Sequence, residues 1–391
     1  MPPKDIRIFF TLFFSLFATI TGVGIVVPLL PVYAYQLGAN GIYISLIFTS
    51  FSISRTVMLP YFGKLSDKKG RKPFITLGLF LYSIVSIAFL LCTEISFLII
   101  VRFFQGIASA MIMPVAQAYI GEITPKGKEG FYMGMFNMSM FASMSFGPLM
   151  GGLINDLFNI QTAFICMAVF SFIGFLLSYY LLPPVSSEMI QYRNKESSQW
   201  IILLKNRHIV GLFIYRWLYT TCIGIIWTFL PIYAHKEFNL NSSAIGLLLM
   251  IGVLTNGVLQ PVMGFLSDRI NRRHLIILGG LLTLLSMYLM GFSHGFWELF
   301  LSSILFGFSG SLAMPPIMAL ATIYGKEFKS MGAVMSLLTM SHSFGMLTGS
   351  ILGGVVMEMF TLQIAFPFGA IIIGIGVLLF LILTQELKAG Q

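Results

Sequence analysis

The chain has 391 residues, of which 57% are hydrophobic and 9% charged, where a soluble domain carries about 25% charged residues. With a mean hydropathy of +0.90 there is too little polar surface for a cytosolic enzyme, and a disordered chain or a secreted disulfide scaffold is excluded as well. The formal charge of +9 suggests nucleic acid only until the charges are placed, when it becomes a topology signal.

In chain order, polar breaks leave twelve apolar spans, at 6–34, 42–62, 74–92, 97–120, 131–154, 162–182, 208–234, 243–263, 275–293, 297–323, 331–357 and 363–384. Each is long enough to cross about 30 Å of hydrocarbon. Lipid offers the backbone no hydrogen-bond partners, so the spans are helices. The first is too long for a signal-peptide core and runs into Pro28 and Pro31 without a cleavage site, so it is read as span 1. Of the 23 Lys and Arg, nineteen fall at the N-terminus, in the even-to-odd loops or after span 12. Lys236 alone falls in an odd-to-even loop, and Arg55, Arg102 and Arg216 lie inside spans. That bias places both termini in the cytoplasm. Cys92, Cys166 and Cys222 are far apart and form no CxxC pair, so neither a disulfide framework nor a metal site is expected.

The halves repeat at a nearly fixed offset. Pro31-Val32-Tyr33-Ala34 returns as Pro231-Ile232-Tyr233-Ala234, and Gly63, Leu65, Ser66 and Asp67 return as Gly264, Leu266, Ser267 and Asp268. Gly106 returns as Gly307, Met113-Pro114 as Met314-Pro315, and Gly151-Gly152 as Gly353-Gly354. The polar stretch 183–207 joins the copies. The expected organisation is a six-helix bundle over 1–182, a cytoplasmic linker over 183–207 and a second six-helix bundle over 208–391. Parallel halves around a midplane site are a transporter architecture.

After span 2 the sequence reads Gly63-Lys64-Leu65-Ser66-Asp67-Lys68-Lys69-Gly70-Arg71-Lys72. It resembles the loop 2–3 signature of the major facilitator superfamily, with a weaker copy at 264–273, and the resemblance covers essentially the whole chain. Lys69 stands where the family usually has an aromatic, and Asn271 replaces the later glycine in the second copy. The resemblance implies a cytoplasmic gate at Gly63, Asp67, Gly70, Arg71, Asp268 and Arg269. Gly63 is expected to let the chain turn close to neighbouring helices. The lysines also serve as a positive-inside anchor. Arg102-Phe103-Phe104-Gln105-Gly106 in span 4 resembles the family's arginine motif, associated with proton coupling. The other reading of Arg102 is a structural arginine bonded to backbone carbonyls. Gly134, then Gly147-Pro148-Leu149-Met150-Gly151-Gly152 in span 5, resemble the glycine–proline signature of the superfamily's drug–proton antiporters, with Ser143 where glycine is usual. Pro148 frees a carbonyl, and the small residues let helices approach closely.

All 14 acidic residues fall near span ends or in loops, although intramembrane carboxylates are the usual proton relays. Arg55, Arg102 and Arg216 lie at mid-depth instead. A net positive cavity follows as an expectation, favouring a neutral amphiphile or one with an anionic group. Both Arg55 and Arg216 equally fit a structural role beside a satisfied partner. His342 is the one histidine deep in a span. It is either a packing residue or a proton carrier, with Glu122 and Asp156 as further proton sites. The polar lining is read as Arg55, Gln105, Gln117, Asn137, Arg216, Trp227, Asn256 and Gln260, with Tyr33, Tyr215, Trp217 and Tyr219 offering aromatic surface.

The fold class expected is an all-α membrane protein, twelve transmembrane helices in two pseudo-symmetric six-helix halves, the major facilitator fold. No cofactor and no catalytic constellation is expected. The expected partners are a small-molecule substrate, the proton as coupling ion and the lipid bilayer, with no nucleic acid, and the protein is expected to act as a monomer. The resemblance implies a multi-pass protein of the plasma (inner) membrane that exports small amphiphilic compounds in exchange for protons. An uptake symporter for an anionic or neutral metabolite and a lipid flippase are the alternatives.

Overall fold

The computed structural model describes residues 3–123, 129–183, 200–267, 269–328 and 331–385. Every regular element among them is helical. Span 1 is broken in two, α1 (Pro3–Val26) and α2 (Leu29–Gln36). Pro28 supplies no N–H for the carbonyl of Gly24 and Pro31 none for Val27, so the ladder fails there. Span 2 is α3 (Gly41–Lys69), span 3 α4 (Arg71–Ala88) with a 3-10 turn over Phe89–Leu91, and span 4 α5 (Ile95–Ile123). Spans 5 and 6 are α6 (Glu129–Leu157) and α7 (Ile160–Leu181). After the short α8 (Trp200–Lys205) come α9 (Arg207–Phe238), α10 (Ser242–Ser267), α11 (Arg272–Gly291), α12 (Phe296–Glu327), α13 (Met331–Met359) and α14 (Ala365–Leu383), spans 7 to 12. Ten of the spans are long and apolar enough to cross a membrane on composition alone. The other two, α6 and α13, are 29 residues each. Their glycines and serines, with Asn137 in α6 and His342 in α13, make them less apolar without shortening them.

One expectation about local structure is corrected. The stretch from Gly63 is not a loop: α3 continues through Lys69, and the chain turns only at Gly70. Its polar residues end the apolar run without ending the helix. The stretch 183–207 contains α8, whose Leu203 is buried.

The chain forms two compact units. The first holds α1, α2, α3 from Leu46 onward, α4 to α7 and α10 up to Met250. In the second are the start of α3 (Gly41–Ser45), α8, α9, α10 from Ile251 onward and α11 to α14. Within the first unit α1 packs on α6 and α7, and α4 packs on α5 and α7. In the second, α9 packs on α13 and α14, and α11 packs on α12 and α14. That is the same pattern carried over by the sequence repeat.

The repeat extends to single contacts. A Cβ on Gly78 would stand 2.8 Å from Ile112 Cγ1 and 3.2 Å from the Ala108 carbonyl. On Gly279, 201 residues later, it would stand 2.8 Å from both Ala313 Cβ and the Ser309 carbonyl. In lipid no hydrophobic force joins helices, so close backbone approach of this kind supplies the packing energy.

Candidate functional site

In the first unit, Arg102 is brought to mid-bundle by α5 and is 4% exposed. Its Nη1 donates to Gln105 Oε1 at 2.8 Å, and its Nε to the Ile47 carbonyl at 3.4 Å. The guanidinium also lies over the Phe51 and Phe48 rings, 4.5 and 5.1 Å from their centroids. Gln105 is completed by a contact from Nε2 to Met167 Sδ at 3.8 Å. Oxygen acceptors and two aromatic faces thus satisfy this buried cation, the arrangement of a structural arginine. Arg55 on α3 differs. Its Nε is buried and has no acceptor. Tyr82 on α4, which the sequence reading did not single out, is buried in the same unit. Gln117 is exposed on α5, while the side chains of Glu122 and Asn137 lie outside the described residues.

The glycine–proline signature of α6 faces α1. A Cβ on Gly147 would stand 2.7 Å from Gly24 Cα, and one on Gly151 would collide with the Ile25 carbonyl. Ser143 Oγ reaches across to the Phe17 carbonyl at 3.1 Å. Gly24 is also the residue whose carbonyl loses its donor to Pro28, and a Cβ on it would stand 3.5 Å from Pro148 Cδ, so the break in span 1 and Pro148 adjoin. Gly152 meets the Ser242 carbonyl at the start of α10. Gly134 lies in α6, with its surroundings outside the described residues. One turn beyond Gly152, Asp156 accepts the backbone N–H groups of Ser242 at 3.0 Å and Ser243 at 2.8 Å, and the Ser243 hydroxyl. A carboxylate placed on a helix N-terminus complements the helix dipole. The repeat offset of 202 maps Asp156 onto Glu358, which accepts from Asn40 Nδ2 at 3.4 Å, at the start of α3. Glu358 was not singled out from sequence, although the offset pointed to it.

In the second unit, α9 carries Arg216, whose Nη1 donates to Met318 Sδ on α12 at 3.2 Å. Its Nε is buried without an acceptor. Asn256, the counterpart of Arg55, accepts from Gln260 Nε2 at 2.9 Å. Gly310 leaves room beside Asn256 for Tyr219. Tyr215 and Tyr219 do not offer aromatic surface as expected: they are 0% and 1% exposed. The Tyr215 hydroxyl donates to the Ile276 carbonyl, and Tyr219 stacks on Phe306. Both rings face into the packed side of α9. Trp217 remains half-buried and donates from Nε1 to Thr348 Oγ1 at 3.1 Å. Trp227 is half-buried, as is His342 on α13.

At the cytoplasmic motif, Gly70 adopts φ +88, a left-handed value that favours glycine, and caps α4. Arg71 follows it and is buried, with Nη1 donating to Ser66 Oγ at 2.7 Å. Nothing stands within 4 Å of a Cβ on Gly63, so the expected close approach there is absent. In the second copy Asn271 caps α11 by accepting the Arg273 N–H at 2.9 Å, doing with a side chain what Gly70 does with its backbone. Arg269 is exposed over the Phe265 ring, 4.2 Å from its centroid. Asp268 and the Asp67 side chain lie outside the described residues.

Comparison with known proteins accords with this geometry. Residues 12–241 and 212–390 match the Major Facilitator Superfamily. An uncharacterized MFS-type transporter, MJ1560 of Methanocaldococcus jannaschii, is 30% identical over 379 residues, covering 95% of this chain and 97% of its own. The multidrug resistance protein MdtG of Salmonella heidelberg is 26% identical over 365 residues, covering 90% and 88%. Among solved structures, the nucleoside transporter NupG superposes with a TM-score of 0.79 at 17% identity, over 99% and 100% of the two chains. The human organic anion transporter MFSD10 does so with a TM-score of 0.68 at 17% identity, over 97% and 100%. Together with twelve spans in a repeated packing pattern, these matches show that the chain belongs to the Major Facilitator Superfamily, as a multi-pass membrane carrier of small molecules and not an enzyme.

Proposed function

We propose that this transporter exports small amphiphilic compounds in exchange for protons, by alternating access. The observation that carries the reading is the apposition of the α6 signature, Gly147-Pro148 and Gly151, on the broken first span. The similarity to MdtG, named as a multidrug resistance protein, supports it. Substrate binds along the polar residues of the spans, among them Arg55, Arg216, Trp227, Asn256 and Gln260. Cytoplasmic closure uses Gly70, Arg71 and the acidic residues Asp67 and Asp268. The coupling proton is handled through Arg102, His342 or the carboxylates Glu122 and Asp156. The protein sits in the plasma membrane as a monomer, with both termini cytoplasmic.

Inside-out vesicles with an acidified lumen test this. A fluorescent amphiphile accumulates in them and leaves when the gradient is collapsed with a protonophore. Accumulation only in right-side-out vesicles, driven by protons entering with the solute, supports uptake instead. That second reading, for an anionic metabolite, is favoured by the two arginines whose buried Nε has no acceptor among the described residues.

A further inference from the structure

Arg216 is the least satisfied cation among the described residues of the second unit. It lies nine residues into α9, about 14 Å from the start of the helix at 1.5 Å per residue. A guanidinium has five N–H donors and no acceptor. Here one donor meets a thioether, a weak acceptor, and Nε is buried with nothing to bond. Arg102 shows how the same fold settles an arginine that has only to be stable: it gives it a side-chain oxygen, a backbone carbonyl and two rings. Among the described residues no carboxylate does this for Arg216. A charge left so at membrane depth is costly, and such residues mark substrate paths.

The surroundings add an apolar surface. Phe213, Arg216 and Trp217 are neighbours at helical spacing, all half-buried, with the Phe213 and Trp217 ring centroids 6.3 Å apart. Met318 faces Arg216 from α12 and is 41% exposed. It follows Pro315 and Pro316, which remove two ladder bonds of α12 at that level.

We infer that Arg216 is a receptor for an oxyanion, a carboxylate, sulfonate or phosphate, whose apolar body lies on Phe213, Trp217 and Met318. Carboxylate and phosphate oxygens match the guanidinium fork in pairs, which a thioether does not. The oxyanion is carried by a solute or by a lipid headgroup. The assignment rests on the transporter reading and, where the solute carries the oxyanion, narrows its substrates to amphiphiles with a negative group.

The test uses full-length protein with the three native cysteines replaced and a single reporter, Met318→Cys. Its reaction with the anionic methanethiosulfonate MTSES is timed in dodecyl maltoside and again in phosphatidylcholine nanodiscs. The competitors are 4-phenylbutyrate, 4-phenylbutanol and 4-phenylbutylamine, matched in their apolar part. In detergent the butyrate alone slows labelling, and Arg216→Gln removes the slowing. Arg216→Gln also lowers the MTSES rate relative to cationic MTSET by about tenfold, the effect of removing one nearby charge from a partly dry site. Loss of the butyrate effect in nanodiscs alone assigns the oxyanion to the headgroup, and its persistence assigns it to the solute. Equal slowing by all three competitors, slowing by none, or slowing that survives Arg216→Gln overturns the proposal. Should Met318→Cys fail to elute as a monodisperse protein, Phe213→Cys is the second reporter. Failed proton-driven flux with these labelling results intact would sink the export reading and leave the anion site standing.

Discussion

Three arginines enter the membrane in this chain, and at the level of single residues their fates diverge. Arg102 finds Gln105 one turn away on its own helix, and the Ile47 carbonyl completes it. Arg55 and Arg216 each keep a buried Nε with no acceptor among the described residues. Sequence placed all three at mid-depth but could not tell them apart, because what separates them is the identity of atoms on neighbouring helices. Buried neutral groups are more readily predicted. Cys92 follows the turn at Phe89–Leu91, is 1% exposed, and its carbonyl accepts the Tyr33 hydroxyl at 2.7 Å. A thiol so buried is out of reach of an aqueous reagent, so the folded protein holds Cys92 inert. In a chain keeping Cys92 as its only cysteine, N-ethylmaleimide leaves the folded protein unlabelled from pH 7 to 9 and labels it fully in dodecyl sulfate. Rapid labelling of folded protein at pH 8 would contradict the burial.

Between elements, glycine decides where helices touch. Gly24 and Gly147 bring α1 and α6 together, and Gly224 and Gly349 do the same for α9 and α13, where a Cβ on Gly349 would stand 3.0 Å from Gly224 Cα. Gly147→Ala and Gly349→Ala each force two backbones apart and are expected to lower stability by roughly 1–3 kcal/mol, the range for overpacked sites. Gly63→Ala is expected to do the reverse, by about 0.5–1 kcal/mol, because it sits inside α3 with open space around it. Melting of the purified variants, followed by tryptophan fluorescence, checks the contrast. Equal melting of all three would show that these contacts do not carry the packing.

How much of this was legible follows from the same facts. Twelve spans could be read because lipid demands about 20 apolar residues per crossing and nothing else in the chain produces such runs. The continuation of α3 through Lys69 was not, because polar residues extend a helix as readily as they end an apolar run. Nor was α8, six residues inside a polar stretch. The glycine–proline motif pointed to close packing, but its partner, the broken first span, emerged only in three dimensions. Asp156 was read as a proton site, and the structure gives its carboxylate two backbone N–H groups to hold. No one-dimensional pattern links a residue in α6 to the start of α10.

For the whole molecule, the repeat preserves packing and changes chemistry. Gly78 and Gly279 make the same contact at an offset of 201, while Arg55, Arg102 and Gln105 become Asn256, Ser303 and Phe306. Leu16 becomes Arg216 at an offset of 200. Each unit therefore keeps its scaffold and carries its own polar set, as expected where one duplicated bundle has taken on a separate task in each copy. Sidedness is a property of the whole chain that the sequence predicts. The nineteen-to-one distribution of Lys and Arg predicts cytoplasmic termini, because basic loops are retained on the cytoplasmic face. Lys236, at the end of α9, is the one basic residue assigned outside, and Lys205, at the end of α8, is assigned inside. In intact cells an impermeant maleimide is expected to label Lys236→Cys at once and Lys205→Cys only after permeabilisation, each in a background without native cysteines. Labelling of Lys205→Cys in intact cells, with Lys236→Cys protected, would invert the topology and with it the direction of transport inferred from the bundle.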